Sequence, residues 1–391
     1  MSHRLVELFK DKVAVFAAHH AVQRNVDASF AYEQESHFFW LTKITEPGWQ
    51  LIVDGYTQKA YLVAPEIPEH QQLFDGSLDH GHVRVLTGIE SIITQQEAEN
   101  LLQTLAKSHD TVYALGEHPH AEYFEFRVNP AQPELWKKLE NIFDKVEDCR
   151  LDLSRRRAIK QPNEIKAIRA AVDQTIAVFE TIKSRMKTYE YEYEIEAELS
   201  YGFRSKGTQG HAYDPIVAGG ANACTLHYGV NQQALSKNGL VLIDAGTKVD
   251  GYAADITRTY ATGNPSSRHK AVHAAVEKAH RDIIELLRPS VSIKEYNENV
   301  DTIMKEALKG LGLLKSDNVY RKYFPHAISH GLGIDVHDAL GRPETFEVGM
   351  VLTVEPGIYI PEEGIGVRIE DDILITKTGH ENLSAALSTA L

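Results

Sequence analysis

The feature that most constrains this chain is a single stretch, residues 239–259, which reads GLVLIDAGTKVDGYAADITRT. Asp244 closes one apolar run, Asp255 precedes another, and Asp250-Gly251 stands between them. Asp-Gly flanked by strand-like residues is a strong hairpin signal. Side chains alternate between the faces of a strand. Across a tight loop, positions 244 and 255 have the parity of residues that share a face, so both carboxylates are expected on one side of a sheet. Two like charges side by side in partly buried surroundings repel unless a cation lies between them. A metal site is therefore the first expectation, and its other ligands must come from elsewhere in the chain.

Composition sets the frame for that search. A chain of 391 residues is long enough for two domains. Its 43% apolar and 25% charged content is that of an ordinary globular protein. The 55 acidic residues outnumber 41 basic ones for a net charge of -14, which argues against a nucleic-acid or anionic-lipid partner, whose phosphates require a basic face. Cys149 and Cys224 form neither a disulfide framework nor a metal-type spacing, as fits a reducing compartment. The opening MSHRLVELFKDK is broken by charges, and no apolar run approaches the roughly 18 residues of a membrane span. A cytoplasmic protein with no membrane segment is expected.

Along the first 150 residues, strand-like and helical patterns alternate. Positions 13–18, 49–54, 61–64, 83–86 and 112–115 read as strands, and 2–11, 95–107 and 133–148 as helices. This describes a small α/β domain, 1–150. A basic junction containing Arg155, Arg156, Arg157, Lys160 and Pro162 leads into a second domain, 151–391. There, helices at 163–187 and 191–206 precede strands at 215–218 and 225–228 and the hairpin. Helices at 267–287 and 293–311 then precede further strands, so the order repeats and points to an internal duplication.

The second half of this domain offers the missing ligands. In MVLTVEPGIY (350–359), Leu352 and Val354 share one face and leave Thr353 and Glu355 on the other. In GVRIEDDILIT (366–376), Arg368, Glu370 and Asp372 lie opposite Val367, Ile369 and Asp371. A carboxylate among such apolar neighbours costs at least several kcal/mol if unpaired, which selects for a cation. The segment YFPHAISHGLGIDVHD (323–338) adds His326, His330 and His337, and CTLHYGVN (224–231) adds His227. Imidazole is the commonest metal ligand. A lone Asp at a strand end is more often a turn former, and Asp250 and Asp371 read that way; Cys224 reads as a small core residue.

The strings IDAG and D-x-TRT (243–259), SHGLGIDVHD, TVEPGIYI and GVRIEDD resemble the metallopeptidases of the pita-bread fold. That group includes aminopeptidase P, prolidase and methionine aminopeptidase, with creatinase as a metal-free relative. The resemblance spans residues 155–385. The first domain is similar to the aminopeptidase P and prolidase branch through QES-x-F-x-WLT (34–42) and Glu46-Pro47, although Glu33, His37 and Lys43 replace the usual Arg, Asp and Gly.

The resemblance implies an α/β N-terminal domain followed by an α+β pita-bread (creatinase/aminopeptidase) catalytic domain with pseudo-twofold internal duplication. It implies two divalent metal ions, with Asp244 on one, Asp255 and Glu370 bridging both, and His330 and Glu355 completing the second. So oxygen-rich a set suits Mn²⁺, with Co²⁺, Zn²⁺ or Fe²⁺ as alternatives. The implied activity is that of an Xaa-Pro aminopeptidase, which releases the N-terminal residue from peptides with proline second, through a metal-bridging hydroxide. Glu355, His227, His337 and Arg368 form the implied catalytic set. Glu355 would carry the proton, and His227 and His337 would donate to the oxyanion and substrate backbone. His326 and Arg368 would support the ligands from behind or orient the substrate. Xaa-Pro dipeptidase (prolidase) is the alternative, and a non-catalytic pita-bread binding protein is disfavoured because all five ligands are present. The resemblance also implies a homodimer or homotetramer.

Overall fold

The computed structural model describes residues 2–117, 127–316 and 319–391. The chain divides into two compact units, Met1–Ser154 and Arg155–Leu391.

The first unit is built on a six-stranded mixed sheet. Its order is Ser91–Ile93, Lys59–Val63, Gln50–Asp54, Val13–Ala17, Thr111–Ala114 and Lys145–Asp148. Val13–Ala17 is apolar and buried at every position, antiparallel to Gln50–Asp54 and parallel to Thr111–Ala114. A strand covered on both faces reads in this way as a continuous apolar run. The helices Gln95–Ala106 and Ala131–Glu140 close one face through Ala98, Leu102, Leu105, Leu135 and Leu139, which cluster with Val13, Val15 and Val63.

Two expectations fail here for local reasons. Residues 83–86 lie in a helix, His80–Thr87, because the Asp79 side chain accepts the His82 N–H at 2.8 Å and Gly88 ends the turn with φ +66°. Caps at both ends outweigh the β-branched residues between them. The pattern over 133–148 also divides: the helix ends at Glu140, and Lys145–Asp148 becomes an edge strand parallel to Thr111–Ala114.

The second unit holds two three-stranded antiparallel sheets, each following a pair of helices. Pro162–Arg185 and Glu192–Arg204 precede the sheet Ile256–Ala261, Leu240–Ala245, Ile216–Gly219. Ser267–Ile284 and Ile293–Gly310 precede the sheet Val351–Val354, Asp371–Ile375, His380–Asn382. In the second half Val272, Val276, Ile283, Val300 and Met304 of the helices bury against Leu352, Val354, Ile373 and Ile375 of the strands. The expected strand at 225–228 is a loop instead, following the short 3-10 turn Gly220–Cys224.

The hairpin at 239–259 forms in two stages. Asp244 pairs with Thr257 and Ala245 with Ile256 in the main ladder, while Lys248–Val249 pairs with Tyr252–Ala253 beside the turn. Asp250 and Gly251 take φ of +50° and +80°, as a tight two-residue turn demands. Between the stages the strands approach so closely that a Cβ on Gly246 would lie 1.7 Å from the Ala254 carbonyl oxygen. Only glycine fits there. Asp371 is no turn former. It lies in the strand Asp371–Ile375 at 2% exposure and accepts from Arg258 Nη2 at 2.6 Å and Ser384 Oγ at 2.8 Å.

Candidate metal centre

The two three-stranded sheets of the second unit, and the residues adjoining their strands, carry the candidate carboxylates. Asp244 is on Leu240–Ala245, and Asp255 directly precedes Ile256–Ala261. Glu355 follows Val351–Val354, and Glu370 lies between Ile365–Arg368 and Asp371–Ile375. The backbone couples these positions. Glu370 N–H donates to the Thr257 carbonyl at 3.0 Å, and Asp255 N–H to Asp372 Oδ2 at 3.1 Å. Thr353 N–H donates to the His330 carbonyl at 2.9 Å, and Glu355 N–H to that of Ile328 at 3.0 Å. His330 is thus registered against the strand that delivers Glu355.

The side chains converge. Ligand atoms of Asp244, Asp255 and Glu370 all lie within 4.8 Å of one another, as do those of His330, Glu355 and Glu370. Glu370 belongs to both groups. The Nε2 of His330 is 3.4 Å from Asp255 Oδ2, 3.7 Å from Glu355 Oε1 and 4.0 Å from Glu370 Oε1. Its Nδ1 lies 3.0 Å from the Gly331 carbonyl, which assigns the proton to Nδ1 and leaves Nε2 as the atom facing the carboxylates.

The electrostatics of the cluster are strained. Burial raises the pKa of Asp244, and the neighbouring Asp255 adds to the rise; Glu370 is pushed well above the carboxylate range by burial and then by Asp255 and Glu355. Burial brings Glu355 up to about 7 against the downward pull of His330 and Arg368. His330 is held at about 9 because Asp255 and Glu355 outweigh its desolvation. The Arg368 guanidinium bonds to a carboxylate of the cluster: its Nη2 pairs with Asp244 Oδ2. The Tyr213 hydroxyl lies 2.5 Å from both Asp244 Oδ1 and Asp255 Oδ1. A phenol has one proton, so it can donate to only one of them at a time. Four carboxylates with so little positive charge beside them, plus an imidazole whose Nε2 faces them, make a donor set that fits divalent cations.

The other candidates fall into different surroundings. His326 sits at the cluster's edge, with Nε2 2.9 Å from Tyr359 Oη and Nδ1 3.6 Å from Glu355 Oε2; burial lowers its pKa to about 3. His337 is exposed, its ring 4.1 Å from that of His330, and it forms a third grouping with Asp255 and His330. His227 is also exposed, and among the described residues it has no hydrogen bond or ion pair to the cluster. Arg368 takes the ligand-supporting alternative of the two expected for it. It is buried, and besides Asp244 it donates from Nη1 to Tyr359 Oη at 3.0 Å and from Nε to Thr257 Oγ1 at 3.1 Å. A side chain engaged in this way fixes Asp244 rather than reaching for a substrate.

Tyr213, Tyr359 and Thr257 were not legible as members of the site. Thr257 Oγ1 donates to Glu370 Oε2 at 2.7 Å and joins the two sheets. The TRT string marks its position without giving it a role. Tyr359 lies on the strand Gly357–Ile360, where its apolar neighbours conceal the polar task of its hydroxyl. Tyr213 lies in a loop without any periodic pattern.

Residues 166–377 match the model of metallopeptidase family M24, and residues 2–113 match that of the aminopeptidase P N-terminal domain. The chain is 34% identical to an Xaa-Pro aminopeptidase of Haemophilus influenzae, over 93% of its own length and 88% of the relative's. It is also 34% identical to an Xaa-Pro aminopeptidase of Escherichia coli, over 95% and 90%. The solved structure of aminopeptidase P from E. coli with the inhibitor Pro-Leu superimposes with a TM-score of 0.84 at 30% identity, covering 99% of this chain and 94% of that one. The duplicated fold, the acidic cluster and these matches lead to one conclusion: the chain belongs to metallopeptidase family M24, as a metallo-exopeptidase whose pita-bread catalytic domain follows an aminopeptidase P N-terminal domain.

Proposed function

We propose that this protein is an Xaa-Pro aminopeptidase, cleaving the bond before proline at the second position of peptides, in the cytoplasm. The observation that carries this reading is the convergence of Asp244, Asp255, His330, Glu355 and Glu370 into two ligand groups sharing Glu370. Membership of the family implies divalent metal ions, and the oxygen-rich donor set favours Mn²⁺ over a thiolate-loving ion. Asp255 and Glu370 would be shared between two ions, Asp244 would serve one, and His330 with Glu355 the other. When bound, such ions supply a nucleophile from water at neutral pH and polarise the scissile carbonyl.

The remaining work falls to side chains. Glu355 would take the proton released by the attacking water and return it to the leaving imino nitrogen of proline. His227 and His337 donate to the substrate backbone and to the oxygen that gains charge as the carbonyl is attacked. His326, kept neutral by burial, is held by the Ala327 carbonyl at 2.7 Å and Tyr359 Oη at 2.9 Å and lines the site beside Glu355. Arg368 holds Asp244 in register and is a positioning residue.

A hydrolysis panel of Xaa-Pro dipeptides against Xaa-Pro-Xaa tripeptides, run on Mn²⁺-loaded protein, tests the assignment. Release of the N-terminal residue from tripeptides is the expected result; turnover confined to dipeptides would replace it with prolidase activity.

A further inference from the structure

Glu192 opens the helix Glu192–Arg204 and is fully buried, at 0% exposure. Its Oε1 accepts from Gly219 N–H and from Asn222 Nδ2, and its Oε2 from Tyr228 Oη and Gln233 N–H, each at 2.8 Å. None of these four donors carries a charge. A buried carboxylate without a cation is tolerated only when its lone pairs are occupied, and two donors on each oxygen occupy them. The positive end of the helix that begins at Glu192 also favours the charge.

All four donors come from one segment, residues 219–233, which leaves the strand Ile216–Gly219 and returns to the start of the helix. The return is fixed by Glu192 N–H donating to the Gln233 carbonyl at 3.0 Å and Leu235 N–H to that of Glu190 at 2.8 Å. The carboxylate therefore grips the segment at its start, middle and end. Between the grips at Asn222 and Gln233 lies His227, next to Tyr228, which Glu192 holds directly. Leu226 and Tyr228 pack, with Ala223, against Ile216, Ala218, Leu242 and Tyr359. Tyr359 is the residue whose hydroxyl bonds to His326 and Arg368. The segment is thus pinned between a polar hub and the wall of the metal centre, and its exposed histidine projects from the part so pinned.

We propose that Glu192 is a positioning residue, whose carboxylate fixes the 219–233 segment so that His227 meets the peptide at the metal centre. This rests on the reading of His227 as a donor to substrate. An amide cannot replace the carboxylate, because a glutamine would aim two N–H groups at a site already filled with donors.

The test is a double-mutant cycle on Mn²⁺-loaded protein, with Glu192→Gln, His227→Ala and the pair of changes together, read as kcat/KM on an Xaa-Pro-Xaa tripeptide alongside bound metal. Glu192→Gln is expected to lower kcat/KM by about 10- to 100-fold with metal content unchanged, and to have no further effect once His227 is alanine. Wild-type activity in Glu192→Gln, additive losses in the pair, or loss of metal would each overturn the proposal. Wild-type activity in His227→Ala alone would remove the underlying reading and the proposal with it, and that single variant identifies the outcome. If Glu192→Gln does not fold, Tyr228→Phe, which removes one donor and leaves the carboxylate in place, runs through the same cycle with the same criteria.

Discussion

Glu370 and Asp371 are consecutive residues, both at 2% exposure, and the protein treats them in opposite ways. Asp371 meets the Arg258 guanidinium at 2.6 Å and receives Ser384 and Asn382 as further donors, and despite burial its pKa is held below the usual value. Glu370 meets Asp255, Glu355 and Asp244, and its pKa is driven far upward. On one side of the chain the compensating cation is built in; on the other it is left to be bound. A buried charge is tolerated in either case, but only the second arrangement leaves carboxylate oxygens available to an ion. Asp338, 2% exposed at its side chain, repeats the first arrangement with Arg157 at 2.6 Å and Lys160 at 3.0 Å. It secures the loop that bears His330 and His337 through a bond from Asp338 N–H to the Gly331 carbonyl.

The largest effect should come from removing a shared charge on the open side. Asp255→Asn is expected to reduce kcat/KM by at least about 1,000-fold and to cut bound metal, since several kcal/mol of transition-state stabilisation depend on the ions. Metal analysis and peptide hydrolysis check this, together with chelation of the wild type and recovery on adding Mn²⁺. Full activity in the variant would dissolve the contrast between the two sides.

On the compensated side the expected loss is in stability. Asp371→Asn leaves the fully buried Arg258 without its counter-charge and should destabilise the metal-free protein by about 3–5 kcal/mol, measured by urea unfolding. A loss below about 1 kcal/mol would mean that the ion pair is not what balances this face.

Acid should probe the same face. His280 packs there with Nε2 3.3 Å from Asp371 Oδ2 but without hydrogen-bond alignment, and burial lowers its pKa to about 4, only partly opposed by Asp371 and Glu277 and aided by Arg258 and Arg281. The folded state therefore prefers the neutral ring. Above the unfolded value of about 6.5 both states are neutral and stability is complete; as pH falls from there to about 4, the unfolded chain binds a proton that the folded one refuses. His280→Gln should be less sensitive to acid than wild type by about 3 kcal/mol over that window. Identical acid profiles for the two proteins would exclude this contribution.

How much of this contrast could be read in advance depends on the residue. Asp244, Asp255, Glu355 and Glu370 stood out as candidates because acidic residues in apolar strand contexts are unusual locally, whereas His330 was singled out from His227, His326 and His337 only by the family resemblance. The repeated order of helices and strands was legible from periodicity alone. The opposite treatment of Glu370 and Asp371 was not, since it depends on Arg258 and Ser384, which are distant in sequence and meet Asp371 only through the sheet. The same holds for Tyr213 and for Glu192, whose donors lie 27 to 41 positions away. In the first unit, 83–86 was misread because composition favours a strand while Asp79 and Gly88, just outside it, impose a helix.

The smallest predicted effect is also the sharpest separation of the two sides. Glu370→Gln keeps the shape of a side chain whose charge is disfavoured by burial and by Asp255, Glu355 and Asp244, so in metal-free protein it removes a penalty on folding instead of orphaning a partner. Thr257 Oγ1 donates to Glu370 Oε2, and an amide oxygen can still accept that bond. The variant should be as stable as the metal-free wild type or more stable by about 1 kcal/mol, and should lose most of the stabilisation that Mn²⁺ gives the wild type. Urea unfolding with and without the ion measures both quantities. Destabilisation of the metal-free variant on the scale expected for Asp371→Asn would mean that Glu370 has a compensating charge of its own, and that the two neighbouring carboxylates are alike after all.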